Sequence, residues 1–124
     1  MFKPAAAFSG FSVNDLKRAQ DFYGTTLGLA VDADGPGLRL HFPDGGTAFA
    51  YPKQDHKPAS FTIMNFVVDD IDSAVDELTN NGVRFEHYDN GMKTDEKGIM
   101  RGNGPLIAWF KDPAGNILSV IERN

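Results

Sequence analysis

Three histidines, two serines on apolar runs and no cysteine bound the chemistry open to this 124-residue chain. Imidazole is supplied by His41, His56 and His87. His56 lies in a polar segment and His87 at the start of a long irregular one. With Glu86, Asp89 or Asp95, His87 could hold a displaced metal ion at the mouth of a site. No two histidines stand at i, i+4 or in a known ligand motif, so the ordinary expectation for each is a surface or hydrogen-bonded role. Without cysteine, disulfides and thiolate metal sites are excluded. Nucleophilic catalysis finds Ser12 and Ser119, but no Gly-x-Ser-x-Gly elbow, and no histidine that the spacing brings to either. Both serines are expected as polar lining. Gly102-x-Gly104 does not complete a dinucleotide fingerprint. Asp69-Asp70 precedes a helical pattern, where capping accounts for it. Asp76 and Glu77 fall on that helix's polar face. Trp109, the sole tryptophan, is either core or a wall on which a flat ligand stacks. Arg101 either meets an anionic ligand or faces solvent.

The elements that must position these groups read as short strands and two helices. Ala5–Val13 reads as a buried strand. Asp15–Leu27 reads as a helix, because Leu16, Ala19, Tyr23 and Leu27 fall at steps of three and four. Asn14 or Asp15 caps it, and Gly28 stops it. Strands follow at Leu29–Asp32, Leu38–Phe42 and Thr47–Tyr51, with a turn at Pro43-Asp44-Gly45-Gly46. The polar segment 52–58 reads as a linker. Phe61–Val68 is the next strand, and Asp70–Asn80 the second helix, with Ile71, Ala74, Val75 and Leu78 on one face. Strands at Val83–Glu86, Leu106–Phe110 and Ile117–Ile121 complete the chain. Residues 87–105 form the longest irregular stretch, either a surface loop or a flap over a site.

Bulk properties narrow the partners. Apolar content of 41% and charged content of 23% suit a soluble globular domain, and the length suits one domain with a real core. The net charge of −5, with no basic stripe, argues against nucleic acid. No apolar run approaches the ~18 residues of a membrane span, and the N-terminus is too interrupted for a secretory signal. The lack of cysteine fits a cytoplasmic location.

The chain also repeats itself. Phe11 and Val13-Asn14-Asp15-Leu16 return as Phe66 and Val68-Asp69-Asp70-Ile71, with Ala19 matched by Ala74. Phe42-Pro43-Asp44-Gly45 returns as Phe110-Lys111-Asp112-Pro113-Ala114-Gly115. A repeat of about fifty to sixty residues that occurs twice implies two similar modules rather than a solenoid. The modules run over about 1–53 and 59–124, each βαβββ, in a single α+β domain spanning 1–124. Two such curved half-sheets can enclose a cavity that neither forms alone.

Phe11-Ser12-Val13-Asn14-Asp15-Leu16, Phe22-Tyr23 and Leu27-Gly28-Leu29, with the closing Phe110-Lys111-Asp112-Pro113-Ala114-Gly115-Asn116-Ile117-Leu118, resemble the vicinal oxygen chelate superfamily of glyoxalases, bleomycin resistance proteins and extradiol dioxygenases. The resemblance implies a cup between the modules and pairing into a homodimer. In metal-using relatives four inner-strand side chains hold one divalent ion. The matching positions here are Phe8, a residue among Ala48–Ala50, Ile63 and Ser119. Phenyl and alkyl groups have no lone pair to give, and a lone serine is a poor ligand. No metal and no cofactor are therefore expected. Period-two alternation turns Phe8, Gly10 and Ser12, then Ile63, Asn65 and Val67, then Ile117, Ser119 and Ile121 inward. The expected function is metal-free binding of an apolar or aromatic small molecule in a cup lined by Phe8, Ser12, Ile63, Asn65, Trp109 and Ser119, with Arg101 as an anion contact. The alternative is a glyoxalase-like lyase or dioxygenase-type enzyme with displaced ligands or metal-free acid–base groups.

Overall fold

Helical spacing of Leu16, Ala19 and Tyr23 builds the first helix of the structure, a computed structural model that describes residues 1–102 and 104–123. Helix α1 covers Leu16–Gln20, and the Asp15 carboxylate caps it by accepting from the Arg18 backbone N–H at 3.0 Å. The helix continues as a π-helical segment over Asp21–Thr26. Its closing bond runs from the Leu27 N–H to the Phe22 carbonyl, five residues back. Tyr23 is fully buried and meets Phe22 edge-on at 5.2 Å between centroids.

The chain divides into two compact units, Met1–Lys57 and Pro58–Asn124. In the first, strands β1 (Ser9–Val13), β2 (Ala30–Asp34), β3 (Gly37–His41) and β4 (Thr47–Pro52) form one sheet in the order β1-β4-β3-β2. The β1–β4 pair is parallel and the others antiparallel. Alternation sorts the side chains. Phe11, Val13, Leu38, Leu40, Ala48 and Ala50 are buried on the face that carries α1. Gly37 lets β3 approach β4, since a Cβ there would overlap the Ala50 carbonyl oxygen.

In the second unit, β5 (Thr62–Val68) leads to helix α2 (Ile71–Asn80), capped by Asp70. A two-residue hairpin, β6 (Asp89–Asn90) and β7 (Met92–Lys93), stands apart from the main sheet. That sheet has the order β5-β10-β9-β8, with β8 at Ile99–Met100, β9 at Ile107–Lys111 and β10 at Ile117–Glu122. Leu118, Val120, Ala108 and Phe110 are buried on the face that α2 covers through Ile71 and Val75. Asp112 fixes the β9–β10 turn by accepting from the backbone N–H groups of Ala114 and Asn116, at 2.9 Å each.

Both modules thus give an α+β fold of two four-stranded sheets, with three departures from the sequence expectations. Strand β1 starts at Ser9, so residues 5–8 lie outside it. Residues 83–86 are not a strand, because the edge of β9 is shared. Ile99–Met100 pairs with Ile107 and Ala108, leaving Phe85 a single bridge to Phe110. The 87–105 stretch is therefore part of the sheet at 99–100, where both side chains are buried; Asn103 in it lies outside the described residues. Gly98 permits this, since a Cβ there would press on Phe85. Among the described residues no helix is long and apolar enough to cross a membrane.

Candidate functional site

Each sheet has one face under a helix and one without. In the first unit, register sets the uncovered face. Gly10, Phe49, Arg39 and Asp32 are cross-strand neighbours in one row, and Ser12 pairs with Tyr51 in the next. The Arg39 guanidinium carbon lies 4.5 Å from the centroid of the Phe8 ring and 5.0 Å from that of Phe49. Its Nε and Nη2 both donate to Asp34 Oδ2, at 3.0 and 2.8 Å. Phe49 stacks on Tyr51 at 6.2 Å and 23°. Phe8 is 61% exposed and Tyr51 37%. The result is a band of rings with a guanidinium set into it.

Ser12 and His56 meet beside that band. Ser12 Oγ and His56 Nδ1 are 2.6 Å apart. The Lys53 N–H bonds the Val13 carbonyl and the His56 N–H bonds the Lys53 carbonyl, so a turn off the end of β4, tied to the end of β1, carries the imidazole back to the serine. His41 Nε2 lies 2.9 Å from Asp32 Oδ2 farther along the same sheet.

In the second unit, Trp109, Ser119 and Asn65 form one cross-strand row. Ser119 is fully buried and donates its hydroxyl to Asn65 Oδ1 at 2.5 Å. Asn65 is exposed and Ile63 half-buried. Trp109 is buried, donates from Nε1 to Thr62 Oγ1 at 3.1 Å, and meets the Tyr88 ring edge-on at 5.6 Å. It therefore lies within the packed interior rather than open to a stacking ligand.

Phe8 and Ser12 belong to the first unit, and Ile63, Asn65, Trp109 and Ser119 to the second. Within each unit these residues fall on the face that no helix covers, where Trp109 and Ser119 are nonetheless buried. Arg101 does not. Its Nη2 donates to Asp72 in the first turns of α2 and its Nε to Asp95, both at 2.8 Å, on the helix side of the sheet. Two carboxylates at hand outcompete a place on the opposite face. Arg39, Phe49, Tyr51 and His56 were absent from the expected lining. Small Ala48 and Ala50 alternating with large Phe49 and Tyr51 carried a signal for two of them. The Ser12–His56 contact spans 44 residues and has no local signature.

The chelating positions fail on chemistry. Phe8 and Ile63 offer no lone pair, and Ser119, which donates its hydroxyl to Asn65, is a lone neutral oxygen that binds such metals poorly. Among the described residues no three of His, Cys, Asp and Glu are grouped to hold a metal ion. His87 instead bonds the Glu96 carbonyl through Nε2 at 3.1 Å. A separate cleft of about 630 Å³ lies on the helix side, between α2 (Val75, Thr79) and Val83, Phe85, His87 and Lys97. Lys97 there is held by Asp72 and Asp76 at 3.1 and 2.9 Å.

A family model described as Glyoxalase/Bleomycin resistance protein/Dioxygenase superfamily matches residues 7–120. Solved structures share the fold at low identity. TnmS3, an antibiotic binding protein from Streptomyces sp. CB03234, is 21% identical over 100% of this chain and 99% of its own, with a TM-score of 0.74. A glyoxalase family protein from Bacillus anthracis is 19% identical over 100% of both chains, with a TM-score of 0.72. The oxidase ChaP-H2 is 21% identical over 99% of this chain and 96% of its own, with a TM-score of 0.68. No curated protein matches the chain.

Proposed function

Because the chain belongs to the Glyoxalase/Bleomycin resistance protein/Dioxygenase superfamily, we propose that it is a metal-free small-molecule-binding protein that takes an apolar or aromatic ligand on an uncovered sheet face. The observation that carries this reading is the ring band of the first unit, where Phe8 and Phe49 flank one guanidinium and Tyr51 stacks on Phe49. Ligand sites combine such apolar surface with a few placed polar groups, and here Arg39, Ser12 and His56 supply them. The non-ligating residues at the chelating positions support a site without an ion. The likeness to an antibiotic binding protein is consistent with ligand binding on this fold. We further propose a homodimer in the cytoplasm. Phe61 and Val67, 67% and 61% exposed, support a second copy as cover.

Elemental analysis of freshly purified protein, followed by a thermal-shift screen of aromatic compounds, tests this reading. We expect no stoichiometric divalent metal, and a raised melting temperature with compounds that bind. Saturation at a hundredfold the dissociation constant is worth about 2.7 kcal/mol, which is readily seen. Stoichiometric zinc, nickel, iron or manganese, or a screen with no shift at all, rejects it.

The Ser12–His56 contact favours a second reading, metal-free acid–base catalysis, because a hydroxyl and an imidazole stand at hydrogen-bond distance. In that case any turnover found must fall by about a hundredfold or more in His56→Asn.

A further inference from the structure

We infer that Phe8 is a resident ring standing in for the ligand, and that the guanidinium face it covers is the seat of an uncharged, electron-rich planar ring. The inference rests on the binding reading above and adds which surface is used, by what class of compound, and with which sign Phe8 contributes.

Arg39 is held without Phe8. Asp34 takes both Nε and Nη2 through one oxygen, and Phe49 lies on a paired strand against the guanidinium. Its plane is thus fixed by groups that stay put when Phe8 leaves. Phe8 is held differently. It precedes β1, residues 1–10 are all exposed, and its ring remains 61% open to water. Moving that ring breaks no strand pairing in the sheet.

The chemistry of the vacated face follows. A guanidinium stacks best on an electron-rich ring, because the ring's negative face meets the positive plane. Asp34 already neutralises Arg39, and Asp32 occupies the next strand of the same row. An anionic ligand would meet those carboxylates, so a neutral ring is preferred. Ser12 Oγ and His56, beside the ring band, offer a polar contact for a hydroxyl at the far edge of the ligand. A hydroxylated bicyclic arene has these properties.

The test titrates 2-naphthol against the wild type, Phe8→Ala, Arg39→Met and Arg39→Lys, with decahydro-2-naphthol as a probe of like outline but no π face. Melting curves show which variants are folded, and the Arg39 Nε–H resonance reports a ring-current shift on stacking. We expect Phe8→Ala to bind 2-naphthol roughly two- to fivefold tighter, since the competing contact is an exposed cation–π pair. Arg39→Met and Arg39→Lys should both weaken it by roughly fivefold or more, the lysine because it lacks the plane. The saturated probe should not respond to Arg39. If Phe8→Ala weakens binding, Phe8 is a wall and the inference fails while the binding reading stands. Equal binding of both probes also overturns it alone. If neither probe binds and the aromatic screen is blank as well, the binding reading fails and the inference with it.

Discussion

Trp109 has one polar atom, and Thr62 satisfies it. The indole N–H is donated to Thr62 Oγ1 at 3.1 Å within a nearly water-free setting. Thr62→Val keeps the volume and the strand preference but leaves that donor unpaired. The expected cost is about 1–3 kcal/mol, seen as a lower urea midpoint with an unchanged slope. An unchanged midpoint would mean that water reaches the indole. At this scale the sequence was partly legible. Alternation put Ser119 and Asn65 on one face, and they hydrogen-bond across two strands. It left Trp109 between core and wall, because Tyr88, which covers it, comes from a segment with no regular pattern.

Helix α2 and the segments flanking β8 are joined by an ion-pair clasp. Lys97 contacts Asp72 and Asp76, and Arg101 contacts Asp72 and Asp95. Hydrogen bonds from Lys97 and Arg101 hold the Asp72 carboxyl below its ordinary 3.8. Burial pushes the Asp95 carboxyl up, but Arg101 and the N–H groups of Ile99 and Lys97 outweigh it and leave it below 3.8 as well. A carboxyl with a depressed pKa when folded stabilises above its unfolded value, and that contribution fades as pH falls through the folded one. The melting temperature should therefore drop as pH falls below about 4. Asp72→Asn should flatten that drop, as should molar salt for these exposed pairs. Coincident wild-type and Asp72→Asn curves would remove the clasp from the account.

The same segment shows where the sequence fell short at the level of elements. Ile99–Met100 is too brief to alternate, so nothing local separates it from loop. What makes it a strand is a vacancy on the edge of β9 and a glycine at 98 that lets it close on Phe85. Val83–Glu86 had the better pattern but keeps only the Phe85–Phe110 bridge and the Glu86 N–H bond to the Trp109 carbonyl, its start being turned aside where the Val83 N–H bonds the Leu78 carbonyl at the end of α2. Elsewhere helical spacing and turn residues were sufficient. Asp15 and Asp70 cap as their types suggest, and Asp112 organises its turn.

For the whole molecule, the repeat carried the most information, and the two four-stranded sheets are its physical form. What it could not carry is assembly. The apolar side chains left open on β5 and just before it, Val67 and Phe61, are the surface that the proposed dimer must cover. Sedimentation at micromolar concentration should give a dimer, and Phe61→Glu with Val67→Glu should shift it towards monomer. A wild-type monomer would leave those side chains without a role.

Strand β2 ends the first sheet, and among the described residues no strand pairs with its outer edge, which leaves a row of N–H and C=O groups outside the ladder. Asp32 and Asp34 stand on that rim. Charged and polar side chains at an open edge disfavour a foreign strand that would extend the ladder. Replacing Asp32 and Asp34 with valine would leave the backbone template intact and remove its guard, so a change neutral to the fold there would trade away solubility.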